Sequence, residues 1–154
     1  MFLQPDWIDL LREFNAAEVR YLVIGAAAMA VYGEIRGTDD FDVWVEPSED
    51  NAKRVLRALA RFGAPVEELT LAELQGDDLI FQIGVKPLRI DILTGIDGVR
   101  FDDAWPNRFV TQDGPLPFPV ISREDLIRNK RAAGRPKDLA DLATLEESGQ
   151  RPNG

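Results

Sequence analysis

The chain is expected to fold as an α/β or α+β sheet with helices packed against it, and three observations predict this. Short apolar runs with strand character recur at 21–24, 41–45 and 88–93. Segments with helical apolar spacing and good caps alternate with them. Clusters of Gly, Pro and Asp punctuate the junctions. At 154 residues the chain is long enough for one real core and short for two. One domain over 1–149 is therefore expected, followed by a frayed tail over 150–154.

In order, Asp6 is expected to cap a first helix with Trp7, Ile8, Leu10, Leu11 and Phe14 on one face through about Ala17. The run Tyr21 to Ile24 reads as a buried strand stopped by Gly25. Small residues from Ala26 to Tyr32 suit a short helix close against a sheet. A polar loop with Arg36 and Thr38 leads to Asp39, Asp40 and Asp42, which run into Phe41, Val43, Trp44 and Val45 as a strand. Ser48 is the expected cap of a helix with Val55, Leu56, Leu59 and Phe62 on one side, ended by Gly63 to Pro65. Thr70 to Leu74 fits one helical turn. Strands at 79–85 and 88–93, joined tightly at Lys86 and Pro87, read as a hairpin. The Gly-, Pro- and Asp-rich segment 95–119 is expected to wander over the surface, with a short strand at 108–112. Ser122 suits the cap of a helix ending near Gly134. Pro136 suits the first turn of a last helix, in which Leu139, Leu142 and Leu145 line one face.

Composition narrows the chemistry. The chain has no Cys and no His, so a zinc site and a Ser-His or Cys-His nucleophile are not expected. Any metal would be held by oxygen, which points to magnesium or manganese. Proton transfer would fall to carboxylates, Lys or Tyr. With 18 basic and 27 acidic residues the net charge is −9, which opposes non-specific coating of nucleic acid. No apolar run is long enough to span a bilayer, and the start lacks a secretory signal; a cytoplasmic protein without membrane partners is expected.

Asp40 and Asp42 are two apart in a strand, so their carboxylates share one face while Phe41, Val43 and Val45 share the other. Like charges so placed call for a cation between them. Asp91, in Arg89-Ile-Asp-Ile-Leu93, shares a face with Arg89 and Leu93. If that strand lies beside Asp40 to Val45, three carboxylates converge as two-metal phosphoryl or nucleotidyl transfer requires, with ions about 3.5–4 Å apart. The plainer alternative makes these acids turn-and-edge residues, with Asp91 paired to a nearby Arg. Gly25, between strand and helix, offers backbone amides to an anion; it also suits mere close packing. Lys130 and Arg135 are candidates to neutralise a triphosphate, although Lys130 and Arg131 equally suit the negative end of a helix. Arg36 and Thr38 are candidate contacts to phosphate or a metal-bound water, although taken alone they read better as an exposed arginine and a turn threonine.

Taken together these residues resemble the polymerase-β-like nucleotidyltransferase superfamily: an apolar strand, a Gly-Ser or Gly-Gly pair, Asp-x-Asp in a strand and a third Asp in a later one. Here that maps onto Gly25 and Ala26, Asp40 and Asp42, and Asp91. The finer pattern Arg36-x-Thr38-x-Asp40-x-Asp42, with Lys130, Arg135, Lys137-Asp138 and Asp141, looks like the minimal bacterial branch that includes abortive-infection toxins of toxin–antitoxin pairs. The resemblance implies a mixed twisted sheet with helices mainly on one side. It implies Mg2+ or Mn2+ held by Asp40, Asp42 and Asp91. It further implies nucleoside triphosphate phosphates at Gly25 and Ala26, with Arg36, Thr38, Lys130 and Arg135 as nucleotide contacts. Asp91 is the implied base. The acceptor would be a hydroxyl of an RNA end, a protein or a small molecule, and a cognate antitoxin the partner protein. Ala26 departs from the pattern by lacking a hydroxyl, and no large helical acceptor domain follows. A catalytically silent nucleotide-binding or protein-interaction module is therefore the alternative. A glycosyltransferase or haloacid-dehalogenase-type phosphatase ranks third, because there the acids end the apolar strand whereas here they begin it.

Overall fold

Pro5 fits the first turn of a helix because its missing N–H would have had no partner there. The first helix accordingly runs Pro5–Ala16 (α1), burying Trp7, Ile8, Leu10, Leu11 and Phe14. Gln4 stands at its N-cap, so Asp6 is a first-turn acid favoured by the helix dipole and not the expected cap. The computed structural model describes residues 3–33, 40–85 and 88–150, with side chains through 147. The expected Lys86-Pro87 connection and residues 151–154 of the expected tail lie outside them.

β1 (Tyr21–Ile24) is buried along its whole length, as a continuous apolar run requires. α2 (Gly25–Val31) begins at Gly25, one residue before the expected start. β2 (Asp40–Val45) follows, then α3 (Glu49–Phe62), where the Ser48 hydroxyl accepts from the Asn51 N–H and Gly63 closes the end in the left-handed conformation. α4 (Leu71–Gln75) carries a reciprocal cap between Thr70 and Glu73. β3 (Ile80–Ile83) and β4 (Arg89–Leu93) pair antiparallel, as expected.

The sheet is six-stranded and mixed, in the order β3-β4-β2-β1-β6-β5. β2 runs antiparallel to β1 and parallel to β4. Phe41, Val43 and Val45 are fully buried on one face, where Trp7 of α1 stacks on Phe41 at 4.9 Å between centroids. On the other face Asp40 and Asp42 precede Trp44, which meets the edge of Phe101 at 5.1 Å.

The segment 95–119 contains the short strand expected at 108–112, found as Phe109–Asp113, but is otherwise more ordered than expected. It holds α5 (Phe101–Ala104) and most of a hairpin of β5 (Phe109–Asp113) and β6 (Leu116–Val120), and it buries Phe101, Leu116 and Phe118. Pro117 and Pro119 hid β6, since proline argues against an interior strand. Successive N–H groups along a strand point to alternate neighbours. The Ile121 N–H donates to the Val23 carbonyl at 3.1 Å, so positions 117 and 119 face β1 as well, and no N–H is lost from the β5 side. The described β1–β6 pairing is correspondingly brief, registered at Val23 and Val120. The Asn15 side chain donates to the Pro117 carbonyl at 2.8 Å.

α6 (Arg123–Ala133) is capped by Ser122 and closed by Gly134, as expected. α7 (Pro136–Gln150) extends through the first residue of the expected tail. Its inner face is not the expected leucine stripe. Leu139 is exposed and Leu145 buried, while Asp138 and Asp141 occupy the buried positions nearest α6. No helix among the described residues is long and apolar enough to cross a membrane.

Candidate active site

The register between β2 and β4 assembles the acidic cluster. Asp42 lies opposite Asp91 and Asp40 opposite Arg89, and residues so paired point to the same face of a sheet. The Arg89 Nη2 donates to Asp40 Oδ2 at 2.9 Å, and its Nε lies 3.4 Å from Asp91 Oδ1. Asp42 and Asp91, facing each other across the strand pair, therefore bring two carboxyls together on the same face. Burial, with the charges of Asp91 and Asp40, pushes the Asp42 carboxyl up to about 7, against the pull of Lys137. Burial also raises Asp91, opposed by the Arg89 guanidinium.

Gly25 closes the cluster from the side of α2. Its φ is 67°, and a Cβ built there would overlap the Asp42 carboxylate. Glycine is thus required twice, by backbone conformation and by close approach. Gly25→Ala is expected to lower stability by about 1–2 kcal/mol from the left-handed backbone alone, plus the displacement of Asp42. Urea unfolding of the variant checks this, and an unchanged midpoint would refute it.

The cluster opens into a cleft of about 410 Å³. Gly25, Ala26, Asp40 and Asp42 form one wall, Lys130, Arg135 and Lys137 the facing wall, and Ile80, Leu93 and Ile96 an apolar flank. Six of the residues singled out from sequence therefore line one cleft: Gly25, Ala26, Asp40, Asp42, Lys130 and Arg135. Asp91 adjoins it through Asp42. Arg36 and Thr38 lie outside the described residues.

The facing wall holds a charged cluster in which Lys130, Asp138 and Asp141 are buried and Arg135 is exposed. The Lys130 ammonium sits 3.1 Å from Asp141 and 3.5 Å from Asp138. The Arg135 Nε donates to Asp138 Oδ2 at 2.6 Å and its Nη2 to Oδ1 at 3.3 Å. The hydrogen bond from Arg135, ahead of the charges of Arg135 and Lys130, holds the Asp138 carboxyl below the usual range despite its burial. Sequence reasoning did not find this ion cluster. The signal was present in the spacing of Asp138 and Asp141, three apart on one helix face, eight and eleven residues after Lys130.

The acidic cluster offers oxygen donors only, the chemistry of a hard divalent cation, and it sets Asp40, Asp42 and Asp91 on one face of two paired strands. Among the described residues no three acids are already disposed around an ion position. Asp40 and Asp91 are instead turned onto Arg89, so the donor types are those a hard cation takes while, among the described residues, the carboxylates are not gathered around a common point.

No protein-family model and no curated protein matches the chain. Solved structures do. The chain is similar to a candidate nucleotidyltransferase from Thermotoga maritima, with a TM-score of 0.54 at 18% identity over 94% of this chain and 93% of that one. It is also similar to an antigenic nucleotidyltransferase-like protein from Paracoccidioides brasiliensis, with a TM-score of 0.50 at 12% identity over 93% of this chain and 77% of the other. The chain has a nucleotidyltransferase-like fold.

Proposed function

We propose that the protein is a metal-dependent nucleotidyltransferase that moves a nucleoside monophosphate from a nucleoside triphosphate to a hydroxyl. The supporting observation is the β2–β4 register, which sets Asp91 against Asp42 on the cleft face, beside Gly25, in a cleft also lined by Lys130, Arg135 and Lys137. Asp40, Asp42 and Asp91 would hold magnesium or manganese, which when bound neutralises phosphate oxygens and makes the acceptor hydroxyl more acidic. Gly25 and Ala26 admit the phosphates close to the main chain. The acceptor oxygen attacks the α-phosphorus, the bond to the bridging oxygen breaks and pyrophosphate leaves. Asp91 takes the hydroxyl proton. The apolar flank of Ile80, Leu93 and Ile96 gives the organic part of the nucleotide a surface away from the charges.

The test is transfer of label from α-labelled nucleoside triphosphates, with magnesium or manganese, to RNA, protein and small-molecule acceptors. Asp42→Asn is expected to reduce labelling by about 10³-fold or more, because a ligand of the ion and the charge it answers are lost together. Equal labelling by the variant would refute the assignment. Nucleotide binding without transfer would favour the silent module. The sequence resemblance extends the proposal to a toxin of a toxin–antitoxin pair. On that extension, induction arrests growth and co-expression of the neighbouring gene relieves it; unimpaired growth on induction counts against it.

A further inference from the structure

We propose that Lys137 is the residue that binds the triphosphate of the incoming nucleotide, and that the buried Lys130 is a positioning residue acting through it. The inference rests on the nucleotidyltransferase reading of the same cleft and deepens it. Three cations line the wall that faces Asp40 and Asp42. Lys130 is held between Asp138 and Asp141 with its side chain only 7% exposed, so its charge is already answered. Arg135 is exposed but spends Nε and Nη2 on Asp138. Lys137 is exposed, lines the cleft, and among the described residues has no carboxylate within ion-pair distance.

Helix stability does not account for this lysine. It stands directly after Pro136 in the first turn of α7, where the exposed amides make a cation unfavourable and an acid favourable. An unanswered cation on a solvent-facing cleft wall, opposite an acidic cluster, is what a polyphosphate bridging the two walls would need. Lysine suits that task as a compact charge on a flexible stem. The adjoining residue, Asp138, is clamped by Lys130 from α6 and by Arg135 from the preceding turn. That clamp fixes the backbone from which Lys137 projects and gives the buried ion cluster a positioning role beyond packing.

The experiment is calorimetric titration of the full chain with the magnesium complexes of the four ribonucleoside triphosphates and of inorganic triphosphate. Wild type, Lys137→Ala and Lys137→Arg are compared, and thermal melts are recorded for each. Lys137→Ala is expected to weaken triphosphate binding by about 10- to 100-fold, the worth of one hydrogen bond to a charged group. Its melting temperature should stay within about 2 °C of wild type, because the side chain is exposed and unpaired. Lys137→Arg is expected to bind within a few-fold of wild type. If Lys137→Ala binds as wild type does, this inference is overturned while the nucleotidyltransferase reading stands. If it loses affinity together with its folding temperature, and arginine restores neither, the role is structural and the inference is again overturned. If wild type binds no triphosphate, both fall together.

Discussion

Lys130→Met is expected to destabilise the protein by about 3–5 kcal/mol, read as a lowered midpoint in urea unfolding near pH 7.5. The Lys130 ammonium lies 3.1 Å from Asp141 and 3.5 Å from Asp138, and all three side chains are at least nine-tenths buried. Taking the lysine away leaves two buried carboxylates facing each other without their common counter-ion, which costs far more than the pair itself contributes. Asp138 keeps Arg135. Adding Asp141→Asn to Lys130→Met removes one of the two facing charges and should recover a sizeable fraction of the loss. A loss below about 1 kcal/mol for the single variant would show that the cluster is solvated and exerts no hold on α7.

In the presence of a chelator, stability is expected to fall as pH rises from about 4 to about 7 and then level off. An acid whose folded pKa stands above its unfolded value of 3.8 binds more protons folded than unfolded throughout that interval. Asp42, pushed up to about 7, therefore favours the folded state below 3.8 and withdraws that support on ionising. The span corresponds to up to about 4 kcal/mol. Asp42→Asn should flatten the slope and be more stable than wild type at pH 8, even as the proposed nucleotidyl transfer falls by about 10³-fold or more. Denaturant titrations of both proteins at each pH, in the presence of chelator, make the comparison. A wild-type curve that rises from pH 4 to 7 and is matched by the variant would overturn the account of Asp42. The opposed effects on stability and activity are those of a site that keeps like charges together for use.

Much of the fold was legible in the residues, and what was missed has physical causes. Ser48, Thr70 and Ser122 cap helices because their side-chain oxygens satisfy amides that would otherwise lack partners, and such signals are local. β1 and β2 were equally legible, since their periodicity needs no knowledge of neighbours. β6 was not, because Pro117 and Pro119 carry a penalty that depends on which side their missing N–H groups face. That is known only once β5 is found on the other side. α7 was misread for a related reason: Leu139 looks like core until the partner helix supplies Lys130 and draws Asp138 and Asp141 inward. For the candidate site, the identities of Asp40, Asp42 and Asp91 could be read, but the alignment of two strands separated by some fifty residues could not. Lys137 was visible in sequence without a role, since only the commitments of Lys130 and Arg135 set it apart.

The in-register, parallel seating of β4 against β2 has a further bearing on how the acids can vary. The gap between residues 42 and 91 is dictated by backbone hydrogen bonding, a spacing of about 4.8 Å common to all sheets, and not by side-chain fit. Remodelling the apolar flank or the helices across from it can change what enters without retuning that interval. Sliding one strand by a single step would turn residue 91 to the reverse surface and dismantle the arrangement at once.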